Sequence, residues 1–85
     1  MTCAEQIYYS GFDRDFFKLP ADIQRQIEAR IDEMGRRLGG FPHHRLSGSN
    51  NFRLRVGAYR IIYSFDVRKN EIHLLAVGHR REIYR

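Results

Sequence analysis

A single cysteine, Cys3, is all the chain has for sulfur chemistry. No disulfide can form within it, and Cys3 has no partner for a metal-binding or redox motif. No apolar run approaches the ~20 residues that a membrane-spanning helix needs. The first residues, MTCAEQIYYSGFDRD, lack the basic-then-apolar order of a signal peptide. Repeats, low-complexity tracts and linkers are absent too. Lysine is scarce, with 13 of the 15 basic residues being arginine. These absences lead to the expectation of one soluble, cytoplasmic domain covering residues 1–85, without membrane contact.

At 85 residues the domain buries only about 60–65% of the surface its unfolded chain exposes, so its core is thin. The net charge of +5 is unevenly spread. Residues 1–44 carry six basic and seven acidic side chains, net −1, whereas residues 45–85 carry nine basic and three acidic, net +6. An anionic partner facing the C-terminal half is implied. The preference for arginine fits such a partner, because the planar guanidinium grips phosphate through two hydrogen bonds and stacks on bases.

QIYYS (6–10) is rich in strand formers. Ser10 then offers an N-cap, with Asp13 three residues on, for a short helix carrying Phe12 and Phe16. That helix is expected to end at Leu19, since the residue before Pro20 is driven away from helical geometry. Pro20 suits the first turn of a second helix. In it Ile23, Ile27, Ile31, Met34 and Leu38 form one apolar stripe, the pattern of a helix docked on a sheet. Asp32–Arg36 and Glu33–Arg37 stand i,i+4 on the wet side, and Gly39-Gly40 stops the helix. FPHHRLSGSNN (41–51) reads as an irregular connector. Three strands follow at 51–56, 58–66 and 71–77, the last apolar enough to be central. The order predicts an α+β fold, with an N-terminal strand and two helices packed on one face of an antiparallel sheet.

The hairpin NFRLRVGAYRIIYSF (51–65) breaks a local rule. With Gly57-Ala58 as a two-residue type II′ turn, Val56 faces Tyr59, Arg55 faces Arg60, Leu54 faces Ile61, Arg53 faces Ile62 and Phe52 faces Tyr63. One face is then apolar, and the other gathers Arg53, Arg55 and Arg60 without an acidic neighbour. Like charges opposed across strands destabilise a sheet, and departures of this kind concentrate at functional sites. The tail VGHRREIYR (77–85) adds His79, Arg80, Arg81 and Tyr84. Positive surroundings favour a phenolate and a neutral imidazole, so Tyr84 and His79 are candidates for proton transfer. His43 and His44 lack the spacing of a zinc site, and His73, in mid-strand, reads as a satisfied sheet histidine.

The segments LPADIQRQIEARID, FRLRVGAYRIIYSFD and AVGHRREIY, in this order, resemble the RelE/ParE superfamily of bacterial and archaeal toxins. The resemblance implies a RelE-like microbial RNase-type fold and a toxin of a type II toxin–antitoxin system. It further implies a metal- and cofactor-independent endoribonuclease that cleaves mRNA in the ribosomal A site and inhibits translation. By matching position, Arg53, Arg55, Arg60, Arg80 and Tyr84 fall on the family's site residues. Arg60 and Arg80 would then meet the scissile phosphate, Tyr84 would transfer protons, and Arg53 and Arg55 would bind the RNA backbone. From the charge pattern of this chain itself, His79 is the second choice for proton transfer, and Arg81 and Arg45 are further candidates for binding the backbone. RelE enzymes often carry lysine where this chain has Arg53 and Arg55, and arginine cannot act as a base. The expected partners are a RelB-like antitoxin, the ribosome and mRNA. A ParE-like toxin, which inhibits DNA gyrase without cutting RNA, is the alternative, and a noncatalytic RNA- or ribosome-binding module is a further one.

Overall fold

The structure, a computed structural model, describes residues 3–81. Strand β1 (Glu5–Tyr8) leads into helices α1 (Ser10–Phe16) and α2 (Ala21–Arg36) and a 3₁₀ turn at Leu38–Gly40. Strands β2 (His44–Arg45), β3 (Phe52–Val56), β4 (Tyr59–Asp66) and β5 (Glu71–His79) follow. They form one five-stranded sheet in the order β1-β5-β4-β3-β2.

The apolar stripe of α2 does what its spacing predicts. Ile27, Ile31 and Met34 are fully buried, Leu38 continues the stripe from the 3₁₀ turn, and Ile23 packs at its margin. Each buried aliphatic side chain stabilises the fold by about 1.5–3 kcal/mol over an exposed one. Their counterparts on the sheet are Leu54, Val56, Ile61, Tyr63, Ile72, Leu74 and Val77. On the wet side Arg37 and Arg30 donate to Glu33 at 2.8 and 2.6 Å. Hydrogen bonds from Arg37 first, then Arg30, hold the Glu33 carboxyl below its usual range. Its contribution is therefore present above the pKa of an unfolded glutamate and fades as pH falls through the lowered folded value. Asp32 instead accepts from Gln6 Nε2 at 2.7 Å, tying α2 to β1.

Four local expectations are corrected. The sheet is mixed rather than antiparallel, because β1 pairs parallel with β5, Glu5 beside Glu71 through Tyr8 beside Leu74. A hairpin partner must run antiparallel, but β1 reaches β5 only across two helices and a meander, which leaves its direction free. Helix α1 has Tyr9 at its N-cap with no side-chain cap bond, and Ser10 lies inside it. It ends at Phe16, three residues before the expected Leu19, and Phe17–Leu19 form a turn whose N–H groups return to Asp13, Asp15 and Phe16. The connector at 41–51 contains the two-residue strand β2, which pairs with β3.

His43, from that connector, is a structural residue. Its Nε2 lies 2.8 Å from the Leu38 carbonyl and its Nδ1 2.7 Å from the Tyr63 hydroxyl. A carbonyl only accepts, so Nε2 carries the proton and Nδ1 accepts from Tyr63. The ring also stacks on Phe65 at 3.8 Å. Burial pushes the Tyr63 phenol up from its ordinary pKa. His43→Ala is expected to cost about 2–3 kcal/mol through the lost stack and the orphaned Tyr63 hydroxyl. Thermal unfolding should show a Tm lower by about 10 °C or more.

Candidate functional site

The β3–β4 hairpin has the register that its sequence predicts, with Val56 opposite Tyr59, Arg55 opposite Arg60 and Phe52 opposite Tyr63. Gly57 has φ +59° and Ala58 is not in the left-handed region, as a glycine-first turn requires. Leu54, Val56, Ile61 and Tyr63 are buried under the helices. Arg53, Arg55 and Arg60 lie on the face that the helices leave uncovered. Arg53 and Arg55 are exposed, and Arg60 is half-buried between Arg55 on one side and Gly78 on the other.

Arg80 joins this group. Its N–H donates to the Ala58 carbonyl at 2.9 Å, extending the β4–β5 ladder past the pair Tyr59–His79. Strand alternation then assigns Arg80 to the side of Gly78 and Arg60. Among the described residues the ion pairs lie on α1, on α2 and at the start of β5, and none involves Arg53, Arg55, Arg80 or Arg81. The carboxylates of this face, Glu5, Asp66 and Glu71, sit at its far end. Its arginine-rich end is suited to an anion that runs across several cations. Exchanging Arg55→Glu is expected to relieve the cross-strand repulsion with Arg60 and raise stability by about 0.5 kcal/mol. The gain should show in melting curves at low salt and shrink in molar salt, where screening falls to about 3 Å.

Two expected members lie elsewhere. His79 is opposite Tyr59 and meets its ring edge to face at 5.8 Å, on the helix-covered face and away from Arg60. Arg45 is opposite Phe52 on that same face, with its guanidinium 5.6 Å from the Phe52 ring centroid. Arg81 is exposed, and its N–H donates to His79 Nδ1 at 3.3 Å. Tyr84 lies outside the described residues.

The structure brings to this face two histidines that the sequence did not assign to the site. His44 is exposed opposite Arg53 on the open face, and only recognition of β2 could have placed it there. His73 shares that face opposite Ser64, about 13 Å along β4 from Arg60 at the usual strand rise. It donates from Nε2 to Glu71 at 3.2 Å, and its Nδ1 lies 3.1 Å from the Tyr9 hydroxyl. Groups of three or more His, Cys, Asp or Glu side chains able to hold a metal ion do not occur among the described residues. No helix among them is long and apolar enough to cross a membrane.

The family model described as the ParE toxin of type II toxin–antitoxin systems matches residues 7–84. No curated protein sequence matches the chain. Among solved structures, it is similar to a chain of the RelBE2 toxin–antitoxin complex from Mycobacterium tuberculosis. Identity there is 25% and the TM-score 0.74, over 96% of this chain and 97% of that one. It is also similar to a chain of the RelB–RelE antitoxin–toxin complex from Methanococcus jannaschii, at 27% identity and a TM-score of 0.71 over 92% and 94%. The isolated E. coli RelE toxin, at 15% identity, shares the fold with a TM-score of 0.76 over 95% and 90%. With the family model spanning nearly all of its length, the chain belongs to the ParE toxin family, within the RelE/ParE superfamily, and is a toxin of a type II toxin–antitoxin system.

Proposed function

We propose that this toxin is a ribosome-dependent endoribonuclease that cleaves mRNA in the A site and so stops translation in the cytoplasm. The observation that carries the reading is the convergence of Arg53, Arg55 and Arg60 on one uncovered sheet face, with the Arg80 backbone bonded at the same end of the sheet. RNA cleavage by the adjacent 2′-hydroxyl requires the 2′-oxygen to lose its proton and bond to phosphorus. The bond from phosphorus to the 5′-oxygen breaks, and that oxygen takes up a proton. Charge builds on the phosphate oxygens, and preorganised donors aimed at developing charge supply the largest catalytic term.

Arg60 and Arg80 take the scissile phosphate in this reading. Arg60, half-buried, is the less hydrated and more fixed of the set, while the exposed Arg53 and Arg55, both on β3, track the backbone along one side of it. Tyr84 takes the acid/base role, worth typically ~10²–10⁴-fold. His79 faces the other side of the sheet from Arg60, which leaves it out of the proton transfer. An enzyme without a strong base gains most from a substrate held in line for attack, and the A site provides that positioning. An antitoxin of the RelB type is the partner this reading implies, by similarity to the two toxin–antitoxin complexes. Its acidic residues would neutralise the arginine face.

A second reading, inhibition of DNA gyrase by binding, is favoured by the match to the ParE family model. Primer extension on an mRNA in a purified translating system separates the two. Cuts within A-site codons are expected. Intact mRNA, together with loss of gyrase supercoiling at the same toxin concentration, would replace the nuclease reading with the gyrase one.

A further inference from the structure

Strand alternation does more at this end of the sheet than expose arginines. Tyr59, which opens β4, and His79, which ends β5, each precede a phosphate-facing arginine and turn to the opposite face. There the two half-buried rings form one wall of a cleft of about 420 Å³. Val77 and Leu19 supply apolar lining, and Asp15 and Lys18, from the end of α1 and the turn after it, bring a carboxylate and an ammonium group. The volume falls in the ~300–1,000 Å³ range of small-molecule sites, and the make-up, mostly apolar with a few polar groups, is theirs as well.

We propose that this cleft takes a nucleobase of the bound RNA, stacked on Tyr59 and His79 and read at its edge by Asp15 and Lys18. The proposal rests on the RNA-cleaving reading, and it adds a base-reading subsite to it. The placement supports it. The arginine face and the cleft meet at the end of the sheet, beside the Gly57-Ala58 turn, because Tyr59–Arg60 and His79–Arg80 are sequence neighbours. A strand held by its phosphates on Arg60 and Arg80 has only to turn around that end to deliver an adjoining base. Stacking on aromatic rings accepts any base, but the polar groups discriminate. The Asp15 carboxylate, which also takes Arg14 Nε at 3.4 Å, accepts from the exocyclic amino group of cytosine, adenine or guanine in preference to the single N3–H that uracil offers between two carbonyls.

The test is a titration of the isotope-labelled full chain, followed by NMR, with inorganic phosphate, cytidine 5′-monophosphate and uridine 5′-monophosphate. Both nucleotides should shift Lys18, Tyr59 and His79 resonances saturably, cytidine monophosphate at the lower concentration. Phosphate alone should move only signals around Arg60 and Arg80. His79→Ala and Lys18→Ala should each weaken cytidine monophosphate about tenfold, with the phosphate response retained as proof of folding, and His79→Phe should restore stacking. Nucleotide shifts confined to the arginine face, shifts in the cleft equally produced by phosphate, or no saturable shift would overturn the proposal. Intact mRNA in the translation assay, with cytidine monophosphate still entering the cleft, would overturn the nuclease reading and leave the subsite standing.

Discussion

Replacing Arg60 with alanine is expected to slow A-site mRNA cleavage by about 10²–10³-fold, the usual effect of deleting one donor aimed at developing charge. The cause lies in its placement. Arg55 and Arg53 are exposed, and their charge is shared with solvent, whereas Arg60 is half-buried between two strands. A guanidinium held this way points without reorganising when the phosphate becomes crowded. Arg60→Lys should recover only part of the rate, because an ammonium keeps the charge but loses the planar fork. Arg53→Ala and Arg55→Ala should act mainly on binding, with a larger effect at low salt. Single-turnover cleavage on ribosomes carrying one defined codon in the A site would measure all four. Melting curves would show whether the fold survives. An Arg60→Ala rate within about threefold of wild type, well short of the loss of one such donor, would remove Arg60 from the scissile phosphate.

Phe12→Ala is expected to cost about 3–5 kcal/mol, a large part of the ~5–15 kcal/mol that stabilises a domain. Phe12 has no exposed surface and stacks on Phe16 at 5.3 Å, with Tyr8 tilted against it at 5.4 Å. Truncation would leave a cavity where α1 meets the sheet. Tm should fall by roughly 20 °C. Phe17→Ala makes the contrast. Phe17 is 69% exposed, and its loss should change stability by no more than about 0.5 kcal/mol. Equal losses for the two would mean that α1 does not dock through Phe12.

Phe12, Phe16 and Phe17 also show where the sequence could be read and where it could not. The i,i+4 pair marked the buried face of α1, and the hairpin register followed from one glycine and a two-residue turn. In both cases the determining contacts are local. The direction of β1 depends on residues more than sixty positions away, and β2 is too short to alternate, so neither was legible. The site divides in the same way. Arg53, Arg55 and Arg60 were placed by hairpin alternation alone. His79 and Arg80 were taken together as a basic tail, yet His79 ends strand β5 on the helix-covered face, and Arg80 follows it in the turn, its N–H bonded to the Ala58 carbonyl. Strand β5 hid this through a bulge. Ile62 pairs with Ala76 and Tyr63 with Leu74, so Leu75 is an extra residue and resets the alternation between His73 and His79.

The strand order has a further consequence, for the order in which the toxin can fold. Strand β5 lies between β1 and β4, so an interior strand of the sheet comes last of the five in chain order. Until residues 71–79 take their place, β1 has no neighbour and α1 no floor to settle on. The hairpin arginines are then displayed on an unfinished sheet, with Gly78 and Arg80 still missing beside Arg60. Closing the β1–β5 pair joins segments distant in the chain, the kind of contact that forms late because its loop entropy must be overcome first. The complete arginine face, with Gly78 seated beside Arg60, therefore exists only once β5 has joined the sheet.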